Sequence, residues 1–152
     1  MGSQPDITLR NQKGEPLMTF EVRAKHHTTP QWAAEFRRNL LAREEFRPTQ
    51  YFAIVTPDRL YLWREPKPET DVVLPDFVVD SRPLFLPYLQ KTSVDLDRIS
   101  PYTFELLVIY WLSDLVYARQ ETEGMEPRQA WLMDSGFLDA TRDGTLFYDH
   151  AA

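Results

Sequence analysis

A chain of 152 residues with 43% hydrophobic content suits one domain with a real core and is too short for two. Its 17 basic residues against 23 acidic ones leave a net charge of −6, the wrong sign for a protein that clings to nucleic acid at large, so any DNA contact needs a local basic patch. With no cysteine there are no disulfides, thiol nucleophiles or Cys-based zinc sites, which suits a reducing cytoplasm, and no charged-then-apolar leader or membrane-length apolar run is present.

Met1-Gly2-Ser3 resembles a cloning scar, so the natural start is expected upstream. Asp6 to Arg10 and Leu17 to Lys25 read as two strands joined by a turn over Asn11 to Gly14. In the second strand Met18, Phe20, Val22 and Ala24 share one face, while Thr19, Glu21, Arg23 and Lys25 share the other. The hairpin can bring the carboxylate of Asp6 near that of Glu21. Two carboxylates beside a fixed cation are suited to holding a divalent metal and stabilising a phosphoryl transition state, because hard cations prefer oxygen and developing negative charge needs a positive neighbour. The plainer alternative is an exposed strand face with cross-strand ion pairs, each contributing about 0.2–1 kcal/mol.

Thr29 caps the next helix with Pro30 at its first position, and the helix runs from about Gln31 to Arg43. Trp32, Ala33, Phe36, Leu40 and Leu41 form its buried stripe; Arg37, Arg38 and Arg43 lie elsewhere, on a solvated face or on a phosphate-tracking face beside the hairpin. Tyr51 to Thr56 is a strand buried on both sides, and after a turn at Pro57 to Arg59 a further strand covers Leu60 to Trp63. This β-β-α-β-β order demands a mixed central β-sheet flanked by helices, an α/β class.

The connection from 65 to 87 carries five prolines and is either ordered by packing or a mobile flap; Val72 to Leu74 and Phe77 to Val79 suggest that it wraps across an apolar surface. A helical C-terminal part over 88–142 follows. A short helix near Leu84 to Lys91 leads into it, and it includes a helix from Pro101 to about Gln120, apolar on nearly every side and so expected to be buried on every side, as a central prop or in part a dimer interface. A last helix is expected over Glu126 to Ala140 with a break at Gly136, then an edge strand over 145–149. His26, His27 and His150 read as loop or surface histidines, Asp58 as a turn residue, and Asp134-Ser135-Gly136 lacks the surroundings of a nucleophile elbow.

Pro5-Asp6, then after a gap of fourteen residues Glu21-Val22-Arg23 and then a helix, resembles the PD-(D/E)XK signature of the restriction-endonuclease-like nucleases, and residues 5 to 65 resemble a group of bacterial members of that superfamily. The resemblance implies a restriction-endonuclease-like sheet and a metal-dependent hydrolysis of DNA phosphodiesters. Asp6, Glu21 and the Val22 carbonyl would bind Mg²⁺ or Mn²⁺, and Arg23, with Lys25 as a substitute, would face the scissile phosphate. Gln31, Arg37 and Arg38 would border the substrate, and a homodimer would cut both strands. The chain departs from the pattern at Arg23, where a lysine is expected; an arginine can neutralise charge but cannot act as a base. A nuclease-fold module without turnover, acting in protein or nucleic-acid binding, is the alternative implied by that departure.

Overall fold

The computed structural model describes residues 6–43, 49–68, 70–118, 130–142 and 144–148. Strand β1 (Ile7–Arg10) and strand β2 (Pro16–Val22) form the expected antiparallel hairpin, with Ile7 opposite Phe20 and Leu9 opposite Met18. Its turn is held by the Asn11 side chain, whose oxygen accepts from the backbone N–H groups of Lys13 and Glu15 at 2.9 Å each. Gly14 adopts φ 81°, a conformation that costs a residue with a Cβ. The second strand ends at Val22 and not at Lys25, so the strict alternation of faces does not extend to Arg23 and Lys25.

Helix α1 (Pro30–Leu41) starts as expected, with the Thr29 hydroxyl accepting from the Trp32 N–H at 3.1 Å. It carries the chain across the sheet to β3 (Tyr51–Val55), which lies parallel to β2 and is buried along its whole length. A turn then leads into β4 (Arg59–Arg64), antiparallel to β3, with the Asp58 carboxylate in the turn accepting from the Thr56 hydroxyl.

The proline-rich connection contains a strand that the sequence reading did not separate from a wrapping segment. Strand β5 (Phe77–Asp80) pairs antiparallel with β4 at one edge. The connection is tied down before it by the Trp63 indole N–H donating to the Val73 carbonyl at 2.8 Å and by an ion pair between Lys67 and Asp76. Helix α2 (Arg82–Leu89) and helix α3 (Pro101–Ser113) follow, and α3 continues into a wider π turn over Asp114–Ala118. The predicted last helix is two single turns among the described residues, α4 (Trp131–Asp134) and α5 (Phe137–Ala140), separated where Gly136 takes φ 80°. Its expected start at Glu126 and Pro127 lies outside the described residues. Strand β6 (Thr145–Tyr148) pairs antiparallel with β1 at the other edge, completing the order β5-β4-β3-β2-β1-β6.

The result is an α/β fold with a six-stranded mixed sheet covered on both faces. On one face Ile7, Met18, Phe20, Ala53 and Leu62 pack with Phe85, Phe104, Trp111 and Phe137 from the later helices. Trp111 stacks on Phe137 with ring centroids 6.2 Å apart. On the other face Phe52, Ile54, Tyr61 and Trp63 meet Ala33, Leu40 and Leu41 of α1. Helix α3 is not buried on every side: Tyr102, Tyr110 and Tyr117 are more than half exposed. A tyrosine has an apolar ring and a polar tip, so an apolar-looking helix tolerates an outward row of tyrosines; the Tyr117 hydroxyl accepts from the Leu146 N–H at 2.9 Å. No helix among the described residues is long and apolar enough to cross a membrane.

Candidate cation site

The site forms where the hairpin opens. Continuing the β1–β2 register by one residue puts Asp6 across from Glu21, and two hydrogen bonds lock the pair. The Asp6 N–H donates to Glu21 Oε2 at 3.1 Å, and the Val22 N–H donates to Asp6 Oδ2 at 2.8 Å. Beyond Val22 the chain leaves the hairpin, which frees the Val22 carbonyl for a side chain. That side chain is Arg23. Its Nη1 donates to Asp6 Oδ2 at 2.9 Å and to the Val22 carbonyl at 2.8 Å, and its Nη2 donates to Glu21 Oε1 at 3.2 Å. The guanidinium carbon lies 4.8 Å from the centroid of the Phe36 ring, so α1 supplies a floor for the cation.

The electrostatics follow from this arrangement. Glu21 is 3% exposed, beneath α1 on the sheet face where an outward polar side chain was expected. Burial, reinforced by the neighbouring Asp6 charge, pushes its carboxyl up to about 7, against the opposing pull of Arg23 and of the Asp6 N–H. One guanidinium therefore serves two carboxyl groups, and the pair is under-compensated.

The other sequence-predicted residues are distributed unevenly around this centre. Lys25 does not join the acids; its ammonium lies 5.2 Å from the centroid of the Trp32 ring, because the strand geometry that would have aligned it with Glu21 ends at Val22. Gln31 is exposed at the start of α1, donating to Glu35 Oε2 at 3.3 Å, and helps line a surface pocket of about 410 Å³ with Trp32, Phe36 and Asn39. Phe36 lines this pocket beside Gln31 and also lies under the Arg23 guanidinium. Arg38 is partly exposed and donates to Asn39 Oδ1 at 3.4 Å.

Arg37 overturns its expectation. It is fully buried, donates through Nε and Nη2 to both oxygens of Glu65 at 3.0 and 2.9 Å, and donates through Nη1 to the Pro68 carbonyl at 3.2 Å. All of its polar reach is spent inside the protein, so it lies on neither a solvated face nor a phosphate-tracking one. Sequence reasoning missed Glu65 as its partner, and only Glu65 being the first acid after an apolar strand could have suggested it.

His27 sits in the loop before α1 with φ 59°, its N–H donating to Asp58 Oδ2 at 3.2 Å; His150 lies outside the described residues. Sequence reasoning also missed Tyr88, whose hydroxyl donates to Asp114 where α3 widens; burial and that acid push the phenol upward. Phe36 was assigned to a buried stripe, and its second role under Arg23 depends on how α1 crosses β2.

Among the described residues no group of three or more His, Cys, Asp and Glu side chains could hold a metal ion. What converges instead is two carboxylates and one backbone carbonyl, three oxygens around one cation. That donor set fits a hard divalent ion, which takes one or two carboxylates and fills its remaining positions with water or substrate. No family model matches this chain, and no curated protein or solved structure matches it either.

Proposed function

We propose that this chain is a metal-dependent phosphodiester hydrolase of the restriction-endonuclease-like type acting on DNA. The observation that carries the reading is the meeting of Asp6, Glu21 and the Val22 carbonyl around a single positive group at the open end of a hairpin. Asp6, Glu21 and Val22 would hold Mg²⁺ or Mn²⁺. When bound, the ion would activate water and neutralise charge on the phosphate. Arg23, displaced from the acids, would supply a permanent positive charge to the phosphate; it takes no proton at neutral pH. The Val22 and Asp6 N–H groups hold the carboxylates in place, so the site is ordered before any ion arrives. Cleavage of both strands of a duplex by one site per chain calls for a homodimer.

Incubating the protein with supercoiled plasmid and single-stranded DNA in Mn²⁺, beside a Glu21→Ala control, tests this. Nicked or shortened DNA that the control does not produce is the expected outcome; equal products from both proteins would remove Glu21 from the reaction. The second reading, a nuclease-like module that binds protein or nucleic acid without turnover, is favoured by the guanidinium already seated between the acids. It requires intact DNA in the same assay.

A further inference from the structure

We infer that Arg23 is a built-in competitor for the cation site, so that guanidinium and divalent ion exclude one another and metal binds only after Arg23 has swung away. The inference rests on the cation-site reading above and concerns what regulates access to it. All three oxygens that would face the ion accept hydrogen bonds from this one side chain: Asp6 Oδ2, the Val22 carbonyl and Glu21 Oε1. All three bonds are donated by the ionised guanidinium and so are charge-assisted, the kind roughly twice as strong as neutral ones. Glu21 Oε2 is committed to the Asp6 N–H, and Asp6 Oδ2 is shared with the Val22 N–H. The acids thus have little freedom to turn toward a second cation while the first remains.

Arg23 itself is free to move in a way that a buried arginine is not. Its side chain is 38% exposed, and its outer contact is the ring of Phe36. Phe36 also lines the surface pocket with Gln31, Glu35 and Asn39. A guanidinium leaving the acids therefore keeps an aromatic surface and passes toward another carboxylate. The outcome is a site built to hold a divalent ion yet latent at low ion concentration.

The test measures Mn²⁺ binding by the full chain from the electron paramagnetic resonance signal of free Mn²⁺, for wild type, Arg23→Gln, Arg23→Lys and Glu21→Gln, with circular dichroism confirming the fold of each. Arg23→Gln should bind Mn²⁺ at least about tenfold more tightly than wild type. Arg23→Lys is the decisive comparison. It keeps the positive charge, but an ammonium is a compact point charge that cannot reproduce the planar fork across three oxygens. Tighter binding than wild type by the lysine variant means that Arg23 competes by occupying the position. Lysine and arginine forms with equal affinity would overturn that occupancy, leaving only a general charge effect. Folded wild type and both Arg23 variants that all bind equally would overturn the competition but keep the cation site, provided that Glu21→Gln binds more weakly. No binding by any of them would overturn both.

Discussion

Arg23 and Arg37 are paired with carboxylates in the same domain, fourteen residues apart, yet they are held on opposite terms. Arg37 is sealed between α1 and the proline-rich connection, matched one-to-one with Glu65 in a two-pronged bridge, with a third contact to a backbone carbonyl. Arg23 stands at a half-open hairpin end, faces two acids, and leaves one of them buried with an elevated pKa. The first arrangement has no unsatisfied charge and no exit for the side chain, which makes it a structural tie. The second sets two carboxyl groups against one accessible cation, the arrangement on which the cation-site proposal rests. Equal chemistry is thus separated into architecture and candidate function by burial and stoichiometry.

Three measurements would break or sharpen that contrast. Arg37→Ala strands Glu65 in the interior without a counter-charge and should destabilise the fold by about 3–5 kcal/mol, the usual result of breaking a buried pair. Arg23→Ala removes a half-exposed group and should cost about 1 kcal/mol or less. Urea denaturation of both variants gives the comparison directly, and equal losses would dissolve the distinction.

The acid pair should next reveal itself in the pH dependence of stability. Below the ordinary Glu21 value of 4.5 both folded and unfolded chains keep the proton. As pH rises toward the folded value of about 7, the unfolded chain releases its proton first, so stability falls across that window and stays lower above it. The loss is on the order of 3 kcal/mol. Glu21→Gln cannot ionise, so its stability relative to wild type should increase between pH 5 and pH 8. Denaturation midpoints for wild type and Glu21→Gln that shift in parallel over this range would show that Glu21 is not the strained acid. The smallest effect belongs to Lys25, held over Trp32: Lys25→Ala should cost about 0.5–1 kcal/mol, the range for an exposed cation on an aromatic face. A loss as large as that of Arg37 would mean that Lys25 shares the acid cluster after all.

Where a structural feature depends on neighbours in sequence, it was readable. Thr29 and Pro30 announce the start of α1, Asn11 and Gly14 the hairpin turn, Gly136 the break between α4 and α5, and the unbroken apolar run of Tyr51 to Val55 a strand covered on both faces. Asp6 and Glu21 were readable as opposed because a hairpin register couples two nearby strands. The remainder turns on distant contacts. Strand β5 is four residues within a proline-rich segment and exists through its pairing with β4. Arg37 looked like a surface cation because nothing near it in sequence reveals a carboxylate 28 residues away.

By itself, the sequence determined the order of the elements through β4, the mixed pairing of the sheet and the opposition of two acids, since backbone periodicity and turn chemistry act over a few residues. Tertiary structure alone decided which charges are buried, which arginine is spent on architecture and what stands between the acids. Desolvation and ion pairing depend on everything packed around a side chain, and that environment is assembled from α1, β2 and the proline-rich connection only when the chain closes on itself.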